Sequence, residues 1–468
     1  MLARFPGRQP PDWLRRWLDD GLGGVLLFAP NIASQAQLRE LTAELRAHNP
    51  DVLIAADEEG GVVTRIEART GSSYPGNAVL GAVDDTGLTR RVASSMGAML
   101  AGCGVNLGLA PVADIDSNPE NPIIGVRSFG ADPERVAAHT AAFVAGLQSH
   151  RVAACAKHFP GHGGTSTDSH VGLPVVGASL PDLREADLLP FTAAIGAGVR
   201  SVMTAHVVFP EVDTVPATIS GRFLRGLLRE ELGFDGVIVT DALGMAAIGD
   251  SEASAEGAVR ALAAGADLLC LPGEWAAQWR ARDTLASAVR TGAVPAARVE
   301  ESAARVRALG AWARARPVSA PDPALGAEAA RRGLLVDAKL PLPGPPYVID
   351  AGGRMSSVLD DADASLLGVL RSRAPAADGV RLSGPPGDLD ALIARGGTRP
   401  LVLAVCDAHR RPWQADLVRG VLAQRPDTLV VGTGTVHDAA LAEGNYLGTR
   451  GSGRTSLEAA ADVVLGRP

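Results

Sequence analysis

Through its first 315 residues the chain alternates between short apolar runs and Ala/Leu/Arg-rich segments of helical period. The runs lie at 24–28, 52–57, 105–111, 153–159, 201–207, 236–241 and 266–272, with segments such as 35–47 and 254–264 between them. Continuously apolar strands separated by helices predict a parallel sheet covered on both faces. A closed barrel of this kind takes eight strands. Seven runs are visible, and only the stub at 2–5 is left to supply the eighth, which makes the first strand short. A doubly wound open sheet is the competing architecture. The polar residues decide between them. Asp57, Lys157, His158, His206 and Asp241 all stand at or near the C-terminal ends of their runs. A barrel gathers those ends on one rim, whereas an open sheet spreads them along an edge. The expected fold is α/β, a TIM-like (β/α)8 barrel over residues 1–315.

Past residue 315 the composition changes to Arg316-Pro-Val-Ser-Ala-Pro-Asp-Pro323, and again to Pro341-Leu-Pro-Gly-Pro-Pro346. These pieces bracket a helix-like stretch, 324–336, and together predict a Pro-rich linker over 316–346. Beyond it, 347–351, 401–406 and 428–432 read as strands between helical stretches. A small C-terminal αβα sandwich domain is expected over 347–468.

A net charge of -8 and the lack of any Lys/Arg-rich tract argue against nucleic-acid binding. The cysteines (Cys103, Cys155, Cys270 and Cys406) are far apart, and all but Cys103 fall in apolar runs, as expected of reduced core thiols rather than a disulfide framework or zinc site. The N-terminus has no apolar stretch long enough for a signal peptide, and no run approaches the roughly 18 apolar residues of a membrane span. The expectation is a soluble cytoplasmic chain with no membrane partner, provided that a misplaced start codon has not removed a leader. Oligomeric state is not legible.

The chemistry is concentrated in Lys157-His158-Phe-Pro-Gly-His162-Gly-Gly-Thr-Ser-Thr-Asp168-Ser-His170, which holds three of the nine histidines. Glycines and a proline make the part after Phe159 a loop, placed at the end of a buried strand. Asp168 is spaced to orient His170, and an imidazole both gives and takes a proton near neutrality. A surface loop tied by an Asp–His hydrogen bond is the plainer alternative. Metal binding by His158, His162 and His170 is another, without any standard zinc spacing behind it. Asp241 ends an apolar run in Val239-Thr-Asp241-Ala-Leu-Gly-Met245, where a carboxylate either attacks an electrophilic carbon or caps the next helix. Asp57-Glu-Glu59-Gly-Gly-Val-Val-Thr-Arg65 offers carboxylates and an arginine to a hydroxyl-rich or anionic ligand, or is a solvated charge run. Arg127, in the irregular loop 118–129, either reaches the same pocket or pairs with Asp114 or Asp116. Cys406-Asp-Ala-His409 reads as a strand end rather than a nucleophile site. Trp275 either stacks on a sugar or packs.

Taken together, Lys157-His158-Phe-Pro-Gly-His162-Gly…Asp168-Ser-His170, Asp57-x-Glu59-Gly-Gly…Arg65, Asn121-Pro-Ile-Ile-Gly-Val-Arg127-Ser-Phe and Val239-Thr-Asp241-Ala-Leu-x-Met245 resemble glycoside hydrolase family 3. More narrowly they are similar to its bacterial β-N-acetylglucosaminidase (β-hexosaminidase) branch, which acts in peptidoglycan recycling. The match runs in order over roughly residues 20–310. The resemblance implies a retaining exo-enzyme with Asp241 as nucleophile, His170 as general acid/base and Asp168 as its dyad partner. It further implies that Asp57, Arg65, Arg127, Lys157 and His158 grip the non-reducing GlcNAc of a small saccharide or muropeptide, with no metal or organic cofactor. Gly164, Val62, Thr64 and the clipped first strand depart from the family pattern. Two alternatives remain open: a β-N-acetylglucosaminide phosphorylase using the same Asp and His, and an inactive sugar-binding protein.

Overall fold

The computed structural model describes residues 1–168, 172–245, 251–314, 319–353, 365–442 and 444–467. The chain divides into two compact units. One comprises Met1–Glu58, Thr86–Ile124 and Ser128–Asp322, and the other Glu59–Asp85, Gly125–Arg127 and Pro323–Pro468.

In the first unit, strands β1 (Leu2–Ala3), β2 (Gly24–Leu27), β3 (Leu53–Ala56), β4 (Leu107–Gly108), β5 (Ala153–Phe159), β6 (Ser201–Thr204) and β7 (Val237–Val239) pair in sequence order. Every pairing is parallel. The last apolar run closes the ring through parallel bridges Val239↔Leu268 and Leu2↔Cys270. The Leu2 N–H donates to the Leu269 carbonyl at 2.8 Å, and the Leu271 N–H donates back to the Leu2 carbonyl at 3.1 Å. Two residues of β1 therefore suffice for the eighth place, and the fold is TIM-like as expected.

The barrel interior follows from the two-residue side-chain period of a strand. Leu2, Leu26, Leu53, Ala55, Leu107, Leu109, Ala153, Cys155, Met203, Val237, Val239, Leu268 and Cys270 form one buried cluster. The next inward positions on the same period are Arg4, Phe28, Asp57, Pro111, Lys157, Ala205, Asp241 and Pro272. That layer, at the C-terminal ends of the strands, is where a barrel presents side chains to a ligand. At the opposite end the helix Ala296–Trp312 puts Val306 and Leu309 into the core, and the Trp312 ring lies 5.1 and 4.7 Å from the Arg151 and Arg200 guanidinium carbons.

The second unit is built on β8 (Leu335–Asp337), β9 (Tyr347–Asp350), β10 (Asp378–Arg381), β11 (Leu401–Val405), β12 (Leu429–Gly432) and β13 (Tyr446–Gly448). Their order is β10-β9-β11-β12-β13-β8, parallel except for β8, which runs antiparallel to β13. Alternate strand residues feed two cores. Ile349, Leu403 and Val430 meet Leu417, Val418 and Val421 of the helix Pro412–Gln424. On the other face Val348, Val402 and Val431 meet Leu457, Ala461 and Val464 of the helix Arg454–Leu465. A sheet with a helix-lined core on each face is an αβα sandwich. The stretch expected as linker carries the helix Ala324–Arg332 and strand β8. All the cysteines are free and buried. Among the described residues no helix is long and apolar enough to cross a membrane.

Candidate active site

Strand β5 places Lys157 in the inward layer and His158 beside it. Lys157, 2% exposed, donates from Nζ to Asp57 Oδ1 at 2.9 Å, joining the end of β5 to the end of β3. His158 turns the other way. Its Nδ1 meets Asp114 Oδ2 at 2.7 Å, and its backbone N–H donates to Asp114 Oδ1 at 3.1 Å. Asp114 also accepts the His162 N–H at 2.7 Å. Burial by itself would raise the Asp114 carboxyl, but the His158 charge and hydrogen bonds, helped by His162, outweigh it and hold the group low. Asp114 is thus the post around which the start of the histidine loop is wound.

Asn121 fixes the rest of the turn. Its Nδ2 donates to the carbonyls of His162 and Gly163 at 2.9 and 2.8 Å and to Thr165 Oγ1 at 3.2 Å. Its Oδ1 accepts the N–H groups of Ile123 and Ile124. The loop lies so close that a Cβ on Gly163 would fall 1.6 Å from the Ile115 carbonyl oxygen. Only glycine fits there. His162 is buried against this turn, with Nδ1 3.0 Å from Thr165 Oγ1. Desolvation, reinforced by the His158 charge, pushes its pKa down to about 4, so the ring is neutral near pH 7. Asp187, beside Gly161, is pushed up to about 6 by burial and then by Asp114.

Asp241 follows β7 and is half-buried, its Oδ1 accepting the Ala242 N–H at 2.7 Å. The described residues that follow it, 242–245, are not helical, so Asp241 caps no helix there. His206 steadies the loop by donating from Nε2 to the Ala242 carbonyl at 3.1 Å while Nδ1 lies 2.7 Å from Thr218 Oγ1. The layer below registers how these charges converge. Burial pushes the Cys155 thiol up to about 12, with Lys157, Asp57 and Asp241 all acting on it. Cys270, also raised to about 12 by burial, feels Arg4, Asp241 and Asp57.

Asp168 is half-buried, its carbonyl accepting the Gly172 N–H at 3.0 Å. His170 lies outside the described residues. Arg65 and Arg127 belong to the second unit. Arg65 is buried, and Arg127 makes a fork to Glu59, Nε to Oε2 and Nη2 to Oε1, both at 2.9 Å. A planar guanidinium matches a carboxylate in this bidentate way. Among the described residues no group of three or more His, Cys, Asp or Glu could hold a metal ion. Trp275 packs with Trp13 and Trp279, ring centroids 4.2 and 5.1 Å away, and remains 38% exposed. Cys406 follows β11 as a buried thiol pushed up to about 12 by burial, with His409 held by Asp438 at 2.9 Å.

Sequence reasoning missed the roles of Asp114, Asn121 and Asp187. Asp114 carried the signal that singled out Asp57 and Asp241, a carboxylate just past an apolar run. Arg4 was hidden in the stub.

Residues 9–309 match the glycosyl hydrolase family 3 N terminal domain. A β-hexosaminidase of Pseudomonas aeruginosa is 41% identical over 254 residues, covering 53% of this chain and 74% of that one. One from Neisseria meningitidis is 44% identical over 240 residues, 49% of this chain and 66% of its own. Among solved structures, a glycoside hydrolase family 3 β-N-acetylglucosaminidase from Paenibacillus sp. superimposes with a TM-score of 0.89 at 34% identity, over 100% of this chain and 95% of that one.

Proposed function

Because the chain belongs to glycosyl hydrolase family 3, we propose that it is a retaining exo-β-N-acetylglucosaminidase that removes non-reducing terminal GlcNAc from muropeptides or related glycans in the cytoplasm. As a glycoside hydrolase of the β-N-acetylhexosaminidase type it cleaves a glycosidic bond. The observation that carries the finer reading is Asp241, a rim carboxylate in the same inward layer as the Asp57–Lys157 pair.

In this mechanism the Asp241 carboxylate attacks the anomeric carbon while the His170 imidazolium gives its proton to the departing oxygen. A covalent glycosyl-enzyme and a neutral His170 result. His170 then takes a proton from water as that water attacks the same carbon, which frees Asp241 and retains the configuration. Asp168 orients the imidazole. A histidine does this work near neutrality without the raised pKa that a carboxylic acid would need. Asp57, Lys157 and His158 hold the sugar hydroxyls. For Arg65 and Arg127 the same role rests on the family motif alone.

The test is release of nitrophenol from p-nitrophenyl β-GlcNAc, with and without inorganic phosphate, by wild type, Asp241→Ala and His170→Ala. The reading expects GlcNAc as product and a loss of about 10³-fold or more in kcat for Asp241→Ala. Full activity of Asp241→Ala overturns the nucleophile. GlcNAc 1-phosphate made at the expense of GlcNAc replaces hydrolysis by phosphorolysis. No turnover by folded wild type leaves only a sugar-binding role.

A further inference from the structure

Arg4 occupies a place that the expected site does not use. It stands one two-residue step past Leu2, which is fully buried in the barrel core, so it shares the inward layer with Asp57, Lys157 and Asp241. Both backbone groups of Arg4 are clamped by the buried side chain of Gln278. The Arg4 N–H donates to Gln278 Oε1 at 3.1 Å, and Gln278 Nε2 donates to the Arg4 carbonyl at 2.8 Å. The guanidinium carbon sits 3.8 Å from the centroid of the Phe28 ring, the inward residue at the end of β2. Phe28 and Ala242, the residue after Asp241, both pack against the same barrel core. A backbone clamp and a cation–π contact hold the charge in place at the barrel mouth.

The strand order then sets the charges around the ring. Lys157 is already joined to Asp57 between β5 and β3. Arg4, just past β1, is separated in strand order from Asp241, just past β7, only by the closing segment with Pro272. Among the described residues, Lys157 is the other cation of the inward layer; His206 stands at the Ala242 carbonyl, Cys155 and Cys270 lie in the layer below, and His158 and His162 turn to Asp114 and the histidine loop.

We propose that Arg4 is a positioning residue for the reaction, its guanidinium being the counter-charge that holds Asp241 as an anion at the anomeric carbon. The inference rests on the glycosidase reading for its consequence in catalysis, though not for the charge pairing itself. Removing the cation favours the protonated acid, so the acid limb of activity moves to higher pH.

The test compares wild type, Arg4→Met and Arg4→Lys, each checked for folding by its melting curve. Two readouts are taken: the pH profile of kcat/KM on p-nitrophenyl β-GlcNAc, and the 13C titration of the Asp241 carboxyl, assigned by its disappearance in Asp241→Asn. Arg4→Met is expected to raise both midpoints by about one pH unit, and Arg4→Lys to restore most of the change. Midpoints unchanged in a folded Arg4→Met overturn the proposal while leaving the hydrolase reading intact. If wild type releases no nitrophenol, that reading fails and the 13C midpoint alone decides the role of Arg4. Should Arg4→Met not fold, Arg4→Gln and Phe28→Leu carry the same comparison, the latter with a smaller rise.

Discussion

Burial acts in opposite directions on His162 and Asp187. For His162 the folded pKa of about 4 lies below the ordinary 6.5, so between those values the unfolded chain binds the extra proton. Its contribution to stability is complete above pH 6.5 and is lost as pH falls toward 4, by about 3 kcal/mol at 1.36 kcal/mol per unit. Asp187 runs the other way. Raised from 3.8 to about 6, it favours the folded state below pH 3.8, and that preference is lost as pH rises through 6, again by about 3 kcal/mol. Over pH 4–6 the two slopes oppose each other. Asp187→Asn, which cannot ionise, is therefore expected to gain stability relative to wild type as pH rises from 4.5 to 7.5. His162→Gln is expected to gain relative to wild type as pH falls over the same interval. Urea denaturation at several pH values measures both, and a difference independent of pH for either variant rules out the assignment. Asp187 could not be read from the sequence, because its environment comes from Gly161 and Asp114, far from it along the chain. Asp57 and Lys157 were legible because each stands where an apolar run ends, although their 2.9 Å pairing was not.

Most strands that lie wholly inside a core were legible as elements, whereas the edge strands β8 and β10 and the buried three-residue β13 were not. β2, β3 and β5 are buried at every position and read as continuous apolar runs. β10, Asp-Gly-Val-Arg, and β8, half-buried then exposed, carry too little apolar pattern to be seen. β1 is the extreme case, because two residues give no period at all. Its importance comes from closure: Leu2 lies fully buried between β2 and the segment at 268–270, bonded to both. Leu2→Ala removes three side-chain carbons from a site backed by Leu26, Leu268 and Cys270, which has little freedom to collapse. The expected cost is about 2–5 kcal/mol. Hydrogen exchange should show the loss of protection centred on β2 and residues 268–271, with β4 and β5 less affected. Uniform protection in the variant would mean that β1 is dispensable for closure.

At the scale of the whole molecule, the second unit draws on three separate pieces of chain. Glu59–Asp85 leaves the first unit after β3, and Gly125–Arg127 leaves it after β4. These pieces are tied into the second unit by contacts that no local sequence pattern announces. A Cβ on Gly326, in the helix Ala324–Arg332, would fall 1.9 Å from the Ser73 carbonyl oxygen. Arg454 donates from Nε to the Gly71 carbonyl at 3.1 Å and from Nη2 to Ser73 Oγ at 2.7 Å. Val62, Val63 and Val126 form a small apolar cluster of their own, and the Glu59–Arg127 fork lies in the same unit. A chain cut after Asp322 would therefore keep residues 59–85 and 125–127 while losing what Gly326 and Arg454 provide. Amide protection at Gly61, whose N–H donates to the Tyr74 carbonyl at 2.8 Å, and at Val63, whose N–H donates to Gly60, is expected to fall toward that of an open loop. β3 and β5, buried in their own core, are expected to keep theirs. Hydrogen exchange on residues 1–322 against the full chain makes the measurement, with dye binding to report newly exposed apolar surface. Full protection across 59–85 in the shortened chain would show that this segment folds on the barrel's account alone and that the second unit only receives it.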